Sequence, residues 1–371
     1  MLTYKFRIYP TTAQARIIQE TLETCRGLYN SMLADRIENG RGFYDQKKML
    51  VKLKHSDKHL KSIHSQVLQD VVLRLDKAYQ KFFAGLSRYP RFRRSGRYNS
   101  FTYPQSGFRL EDDKVIRLST IGRVRVTLHR KVTGAIKRAT IIRDIDQWFV
   151  ALLVEEDHSE VKSSSGDGEV GVDTGISNLV ALSDGTLIEN PRFLNGSLER
   201  IKSLQRRLSH KKKGSSNREK AKLSLAKAWR KTRRQRDDFA HKLSDKLTKE
   251  NRVIVFEDLK IQNKVKNHSL ASAITDAAWA KLRRLAAYKA ERRGGRAILV
   301  NPSGTSQKCS GCGEAVPKEL SERVHDCPRC GLVVDRDVNA ARNILKAGLE
   351  QALVEAEPLL IQRRRISKFG R

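Results

Sequence analysis

Residues 301–344 read NPSGTSQKCSGCGEAVPKELSERVHDCPRCGLVVDRDVNAARNI, and two kinds of chemistry share that short length. Cys309, Cys312, Cys327 and Cys330 form two CxxC turns. Such turns aim four sulfurs at one centre, the donor set of a tetrahedral zinc site. The 14 intervening residues, 313–326, fall just short of the usual spacing of about 15–20. Two disulfides are the other arrangement that four cysteines permit. Gly313 and Gly331 follow the second cysteine of each pair and suit the tight turns of a zinc ribbon. Four cysteine ligands leave no open coordination position, so one structural Zn²⁺ is expected. Asp335 and Asp337 come next, at the start of a helix expected over 338–345.

The rest of the chain has to accommodate this segment. A length of 371 residues predicts two to four domains. Lys and Arg number 74 against 41 Asp and Glu, a net charge of +33. A solvated surface does not need that excess, and nucleic acid is the usual polyanion that does. No run of about 18 apolar residues exists, so no membrane span is expected. The first ten residues alternate like a strand rather than a signal peptide. A reducing, cytoplasmic, nucleoid-associated location is the expectation that follows.

In chain order, LTYKFRIY at 2–9 reads as a strand, and Thr11 with Gln14 as a capping box that opens a helix. Ile18, Leu22, Cys25, Tyr29 and Met32 form that helix's apolar face, with Cys25 a small core residue. The helix should stop near Asn39 and Gly40. A second is expected over 57–83, with Leu60, Ile63, Val67, Val71, Leu75, Ala78 and Phe82 inward, and Ser65, Gln69 and Lys77 outward. Gln69 has the chemistry to read an adenine edge, although such faces are commonly just solvated. YPRFRR at 89–94 interleaves Arg91 and Arg93 with aromatic rings, a pattern suited to stacking and phosphate contact. Residues 97–156 alternate in short β segments and 161–168 form a linker.

EVGVDTGISNLVALSD at 169–184 gives a strand ending at Asp173, then a second over 179–182 and a turn at Asp184-Gly185. Between residues 201 and 250, 18 Lys and Arg face five acids. Lys211, Lys212 and Lys213 should break this region into two antiparallel helices with a one-sided charge suited to phosphates. RVIVFE at 252–257 is a buried strand ending in Glu257. Residues 271–293 form a helix with Trp279, Leu282, Leu285 and Tyr288 inward, and 296–300 another strand. The basic tail, 363–371, is expected to be loose.

Asp173 and Glu257 each follow a β-branched run, which buries one strand end and presents the other. The element order fits an RNase H-like sheet, in which acids on the first strand, the fourth strand and the last helix converge. Converging carboxylates repel unless cations lie between them. Mg²⁺ takes carboxylate oxygens, and two such ions suit phosphodiester hydrolysis. Asp337 is the third acid. Asp335 is its outer partner or its alternative as inner ligand.

GVDTGISNLVALSDG, VIVFEDLK, SQKCSGCG…CPRCG and DRDVNAARNI, in that order, resemble TnpB, the OrfB-type family of insertion sequences. YKFRIYPTTAQ and YPRFRR…SFTYP are similar to its N-terminal half, so the resemblance spans nearly the whole chain. The family also resembles the smallest type V CRISPR effectors. The resemblance implies an α/β multidomain chain: an RNase H-like RuvC nuclease domain (166–302 and 335–371) with an inserted zinc ribbon (303–334). An N-terminal wedge-like β-barrel (1–10 and 95–162) would carry a helical recognition insert (11–94). It also implies an RNA-guided DNA endonuclease that cuts double-stranded DNA beside a short motif. Asp173, Glu257 and Asp337 would bind two Mg²⁺ ions. A guide RNA from the transposon end would occupy the basic channel, with one protein monomer per RNA. Tyr44, Ser65, Gln69 and Thr102 are the candidates for motif reading. Two other activities could use the same parts. One is strand transfer by a transposase, although no helix-turn-helix module is evident. The other is guide-dependent regulation without cleavage.

Overall fold

The computed structural model describes residues 1–156, 166–175, 178–258, 279–302, 304–319 and 322–368, with side-chain environments up to 354. The chain divides into two compact units, Met1–Ser159 and Glu160–Arg371. The expected linker falls mostly on 161–165, outside the described residues.

In the first unit, β1 (Leu2–Tyr9) is the sheet's central strand. Tyr4, Phe6 and Ile8 alternate into the core, as a period of two requires. β1 pairs antiparallel with β5 (Gly122–Thr127) on one side and β7 (Gln147–Glu155) on the other. With β2 (Ser100–Tyr103), β3 (Phe108–Leu110), β4 (Val115–Leu118) and β6 (Ala135–Asp144) the order is β2-β6-β7-β1-β5-β4-β3. Among the described residues no ladder joins β2 to β3. The Tyr103 hydroxyl instead donates to the Ser119 carbonyl at 2.8 Å.

The helices lie between β1 and β2 in sequence. α1 (Thr12–Asn39) opens with the expected capping box: Thr11 N–H donates to Gln14 Oε1 and Gln14 N–H to Thr11 Oγ1. It ends on Gly40 at φ 65°, a left-handed cap that favours glycine. The helix expected over 57–83 is in fact two. Asp57 caps a single turn, α3 (Lys58–Lys61), through His59 N and Leu60 N, and α4 starts afresh at Ser65 (Ser65–Phe83). A further helix, α2 (Phe43–Ser56), was not expected. Gln46 and Leu50 are buried, and Phe43 and Leu53 pack partly buried against the same core, so a short apolar stripe with one polar member holds the helix down. Gln46 is held by hydrogen bonds to Met32 O (2.6 Å) and Asp35 Oδ2 (3.1 Å). Cys25 is buried in the core, where desolvation pushes its thiol up to about 12.

The second unit is built on β8 (Gly168–Asp173), β9 (Asn178–Leu182), β10 (Leu187–Glu189), β11 (Asn251–Glu257) and β12 (Arg296–Val300). The order is β10-β9-β8-β11-β12, and β11 runs parallel to both neighbours. Strands buried on both faces read as continuous apolar runs, as VIVF does. Val170, Val172, Ile254 and Phe256 pack with α6 (Ser216–Glu250) and α7 (Trp279–Arg292). Val253, Val255 and Val300 pack with Ile344 and Leu345 of α8 (Arg336–Lys368). α5 (Phe193–Ser209) joins α6 through a turn at 210–215, the break expected at the lysine run.

Two expectations here were wrong. Tyr288 points outward, 39% exposed. It lies nine residues after Trp279, roughly half a turn round the helix at 3.6 residues per turn, and Ala286 and Ala290 are buried in its stead. The final helix is also longer than 338–345: it runs to Lys368, through part of the tail expected to be loose. Residues 271–278 of the expected α7 lie outside the described set.

Candidate metal centres and nucleic-acid contacts

Val172 pairs with Phe256 in the parallel β8–β11 ladder, so the next residues, Asp173 and Glu257, close the two strands side by side. Adjacent strands lie about 4.8 Å apart. Both acids alternate onto the face that carries Gly171, Val253 and Val255, the face covered by α8.

Gly171 locates Asp337 on that face. A Cβ built on Gly171 would lie 2.0 Å from Ala341 O, so strand and helix are in backbone contact. From Ala341 back to Asp337 is one helical turn, roughly 6 Å. From Gly171 on to Asp173 is two strand residues, roughly 6.6 Å. A Cβ built on Gly175, just past the strand, would lie 3.8 Å from Asp337 Oδ2, so Asp337 stands over the strand's carboxyl end. The three acids therefore lie at the same end of the sheet, on the face that α8 covers.

Neighbours hold Glu257 and the start of the helix that carries Asp337. Glu257 Oε1 accepts the Thr305 hydroxyl, and Arg283 Nη1 donates to the Glu257 carbonyl at 3.1 Å. Asp335 accepts from Asp337 N (2.8 Å) and Val338 N (3.2 Å), which is the work of a helix N-cap. That leaves Asp337 as the residue of the pair that faces β8. Burial, then the Asp335 carboxylate, holds the Asp337 carboxyl above its ordinary value, against Arg323 and Arg336. Arg323 Nη1 lies 4.0 Å from Asp337 Oδ2, and the oxygen-only donor set of the acids is of the kind that fits Mg²⁺.

The four cysteines do converge. Their sulfurs all lie within 4.8 Å of one another, with Cys309–Cys330 and Cys312–Cys327 both at 3.6 Å. Four ligands at 2.3 Å in a tetrahedron put sulfurs about 3.8 Å apart, so the cluster is sized for zinc. The two turns are alike: Gly313 N–H donates to Cys309 O and Gly331 N–H to Cys327 O, both at 2.9 Å. Both glycines are left-handed, at φ 80° and 70°. Within this cluster backbone N–H groups, of Cys330 above all, lower the Cys327 thiol to about 7. The Leu332 backbone lowers the Cys330 thiol, but hydrogen bonds with the other cysteines outweigh it and raise that thiol to about 12.

Sequence reasoning missed how this segment is fastened to the acid corner. Asn339 Oδ1 accepts from Ser310 N (2.9 Å) and its Nδ2 donates to Lys308 O (2.8 Å). Asn343 Nδ2 donates to Thr305 O (2.9 Å) and Lys308 O (2.7 Å). With the Thr305 hydroxyl on Glu257, these bonds run from the zinc turn to α8 and β11. Asn339 and Asn343, four apart on one helix face, were the available signal.

The nucleic-acid candidates fare unevenly. Tyr44, Ser65 and Gln69 are exposed in the first unit, with Ser65 Oγ accepting from Lys54 Nζ at 2.7 Å. Thr102 is a correction: it is 3% exposed, and its hydroxyl is engaged by Arg74 (2.6 Å) and Thr140 (3.0 Å). It sits inside the β2 ladder, where it supports the core and cannot meet a base. Arg91 and Arg93 are exposed, with the Arg93 guanidinium over the Tyr29 ring. Lys211, Lys212 and Lys213 are exposed at the α5–α6 turn in the second unit.

Residues 151–268 match a family described as "Probable transposase" of the OrfB IS605 type, and residues 279–344 match the "Cas12f1-like, TNB domain". Residues 1–41 match a "Helix-turn-helix domain", although here they form one strand and one 28-residue helix. A relative from Streptomyces pristinaespiralis, "Putative RNA-guided DNA endonuclease", is 36% identical over 93% of this chain and 89% of its own length. One from Escherichia coli K12, "Putative RNA-guided DNA endonuclease InsQ", is 33% identical over 93% and 92%. A solved Cas12f1–sgRNA–target DNA complex aligns with 93% of this chain and 98% of its own at a TM-score of 0.36 and 14% identity.

Proposed function

Because this chain belongs to the OrfB family of IS605-type insertion sequences, the TnpB family, we propose that it is an RNA-guided, Mg²⁺-dependent DNA endonuclease. The observation that carries the reading is the acid corner: Asp173 beside Glu257 on parallel strands, with Asp337 one helical turn above the Gly171–Ala341 contact. Asp173, Glu257 and Asp337 would hold two ions, whose chemistry is to activate water and neutralise the leaving oxygen of a phosphodiester. Thr305 fixes the rotamer of Glu257, and Asp335 fixes the N-terminus of the helix that presents Asp337. Partial burial of Asp337 weakens the screening of its charge by water.

In this reading residues 166–302 and 335–371 are the RuvC-like domain, and the Cys309, Cys312, Cys327, Cys330 segment (303–334) is a ribbon around one structural Zn²⁺. The seven-stranded sheet (1–10 and 95–162) is the wedge-like domain and 11–94 its recognition insert. The partners are a guide RNA and double-stranded DNA, and the excess of 33 positive charges suits both. No helix among the described residues is long and apolar enough to cross a membrane. The test is to sequence the RNA that copurifies, then to offer a matching duplex library with Mg²⁺. Cleavage that Asp173→Ala abolishes supports the reading. Guide-directed binding without cleavage in any divalent metal, or joining of transposon ends without RNA, refutes it.

A further inference from the structure

The end of α4 and the loop behind it carry an arrangement that neither the core nor the acid corner uses. Within ten residues, four large apolar side chains stand in solvent: Phe83 is 77% exposed, Leu86 78%, Tyr89 44% and Phe92 55%. A soluble surface seldom gathers so many without a partner. Two of them, Tyr89 and Phe83, are held by neighbouring rings. Tyr89 meets Tyr79 and Phe82 edge-on, at 5.5 and 5.2 Å between ring centroids, and the Tyr79 and Tyr89 hydroxyls share a hydrogen bond of 2.8 Å. Phe82 and Tyr79 in turn brace Phe83, at 5.4 and 6.1 Å.

The loop itself is clamped to α1. Asn30 Oδ1 accepts from Arg93 N at 2.7 Å and Asn30 Nδ2 donates to Arg93 O at 3.0 Å, a two-point latch on one peptide position. Arg26 adds a third bond to the same carbonyl at 3.2 Å. The loop's own sequence is basic throughout, and the acid that touches it, Glu23 against Ser95, is paired with Arg26 at 2.7 Å. Between Asp76 and Glu111 there is no acid, while Lys77, Lys81, Arg88, Arg91, Arg93, Arg94, Arg97 and Arg109 all fall in that interval.

An apolar protein partner would not need so many cations, and a membrane surface would not need rings fixed edge-on to one another. Fixed aromatic faces among arginines match a single-stranded nucleic acid, whose bases stack while its phosphates meet guanidinium groups. RNA is recognised in this way at its unpaired loops. Duplex DNA offers no open base face, and in the function proposed above RNA is the single strand present before any target is opened. We propose that Phe83, Leu86, Tyr89 and Phe92, with Arg88, Arg91 and Arg94, form a stacking ledge for unpaired nucleotides of the guide RNA. The ledge rests on the RNA-guided reading but is separable from it.

The test uses the full chain stripped of RNA, with labelled oligouridylate, oligodeoxythymidylate of equal length, and a short RNA duplex as probes. The variants are Phe83→Ser with Phe92→Ser, and Phe83→Tyr with Phe92→Tyr as the conservative pair. Stacking on one aromatic ring strengthens binding by roughly five- to hundredfold per base. The serine pair should therefore lose at least tenfold in oligouridylate affinity at an unchanged melting temperature. The tyrosine pair should keep it, and the RNA duplex should bind all three proteins alike. Ultraviolet crosslinks from the copurified RNA should fall in the peptide spanning 83–97. Equal oligouridylate affinity of the serine pair and the wild type would overturn the proposal. So would an equal loss for the duplex, or a clear preference for oligodeoxythymidylate. If guide-directed cleavage persists in any of these cases, the ledge falls and the nuclease reading stands. If no RNA copurifies at all, both fall.

Discussion

Gly171→Ala adds a single methyl group at the backbone contact that sets the acid corner. That methyl would lie 2.0 Å from Ala341 O, 2.8 Å from Leu345 N and 2.9 Å from Leu345 Cβ. Two of these are backbone atoms, so no side chain can swing aside. Ordinary contact begins at 3.4 Å, so β8 and α8 have to separate by about 1.4 Å. Overpacking of this kind costs about 1–3 kcal/mol. For a unit of this size the melting temperature should fall by about 2–4 °C per kcal/mol. The chemical effect should be larger than the stability effect. The same displacement draws Asp337 away from Asp173 and Glu257, and a misplacement of about 1 Å can slow a reaction on the order of a hundredfold. The assay is single-turnover cleavage of a guide-matched duplex in Mg²⁺, beside a thermal melt and a measurement of copurified RNA. The expected result is a folded protein with a normal RNA load and cleavage reduced on the order of a hundredfold. Gly196→Ala is the control: nothing lies within 4 Å of its Cβ position on α5, and it should cleave normally. Cleavage by Gly171→Ala within about threefold of wild type, with the fold intact, would refute the argument that strand–helix contact sets the geometry of the acids.

Four further outcomes can be checked. Glu257→Gln and Asp337→Asn should each abolish cleavage while RNA binding, measured by filter retention, is unchanged. Cys309→Ser should remove one equivalent of zinc by elemental analysis and lower cleavage, because the Asn339 and Asn343 bonds to 305–310 loosen with the turn. Burial raises the Asp35 carboxyl, but hydrogen bonds from Gln46, Asn39 and Arg41 outweigh it and leave it below its ordinary value. A depressed folded pKa contributes stability above the unfolded value, about 3.9, that is lost as pH falls through the folded value. Asp35→Asn should therefore cost stability at pH 7, and the gap from wild type in chemical denaturation should close as pH falls below about 4. Raising salt should weaken RNA binding steeply, by a log–log slope of about 0.7 per phosphate contact on a single strand, measured by titration at several ionic strengths.

The acid corner was half legible in the residues. GVD and VIVFE announce buried strands that end in carboxylates, because parallel strands covered on both faces must be apolar throughout. Nothing in residue types says that 173 and 257 share a ladder position, since register is a tertiary fact. The third acid was legible only as one of two, Asp335 or Asp337; the structure adds that Asp335 accepts hydrogen bonds from the helix start, which residue types do not reveal. The cysteine cluster was legible outright, because its spacing carries its geometry. The misses share a cause: polar groups were counted by type when their partners decided the matter. Gln46 is buried because Met32 O and Asp35 accept its amide, and Thr102 is unavailable because Arg74 and Thr140 occupy its hydroxyl. Tyr288 is the converse case, an apolar ring outranked by the alanines that fit against the sheet.

The acids of the corner are ordered along the chain, and that order has a consequence for synthesis. Asp337 is polymerised 164 residues after Asp173. At roughly 5–20 residues per second, a ribosome needs about ten to thirty seconds to cover that distance. Throughout it, a nascent chain whose β8 has already emerged carries at most two of the three carboxylates, and the helix bearing the last must still clear the exit tunnel. On the proposed function, a chain that stops before Asp337 lacks one of the three carboxylates and should not cleave DNA.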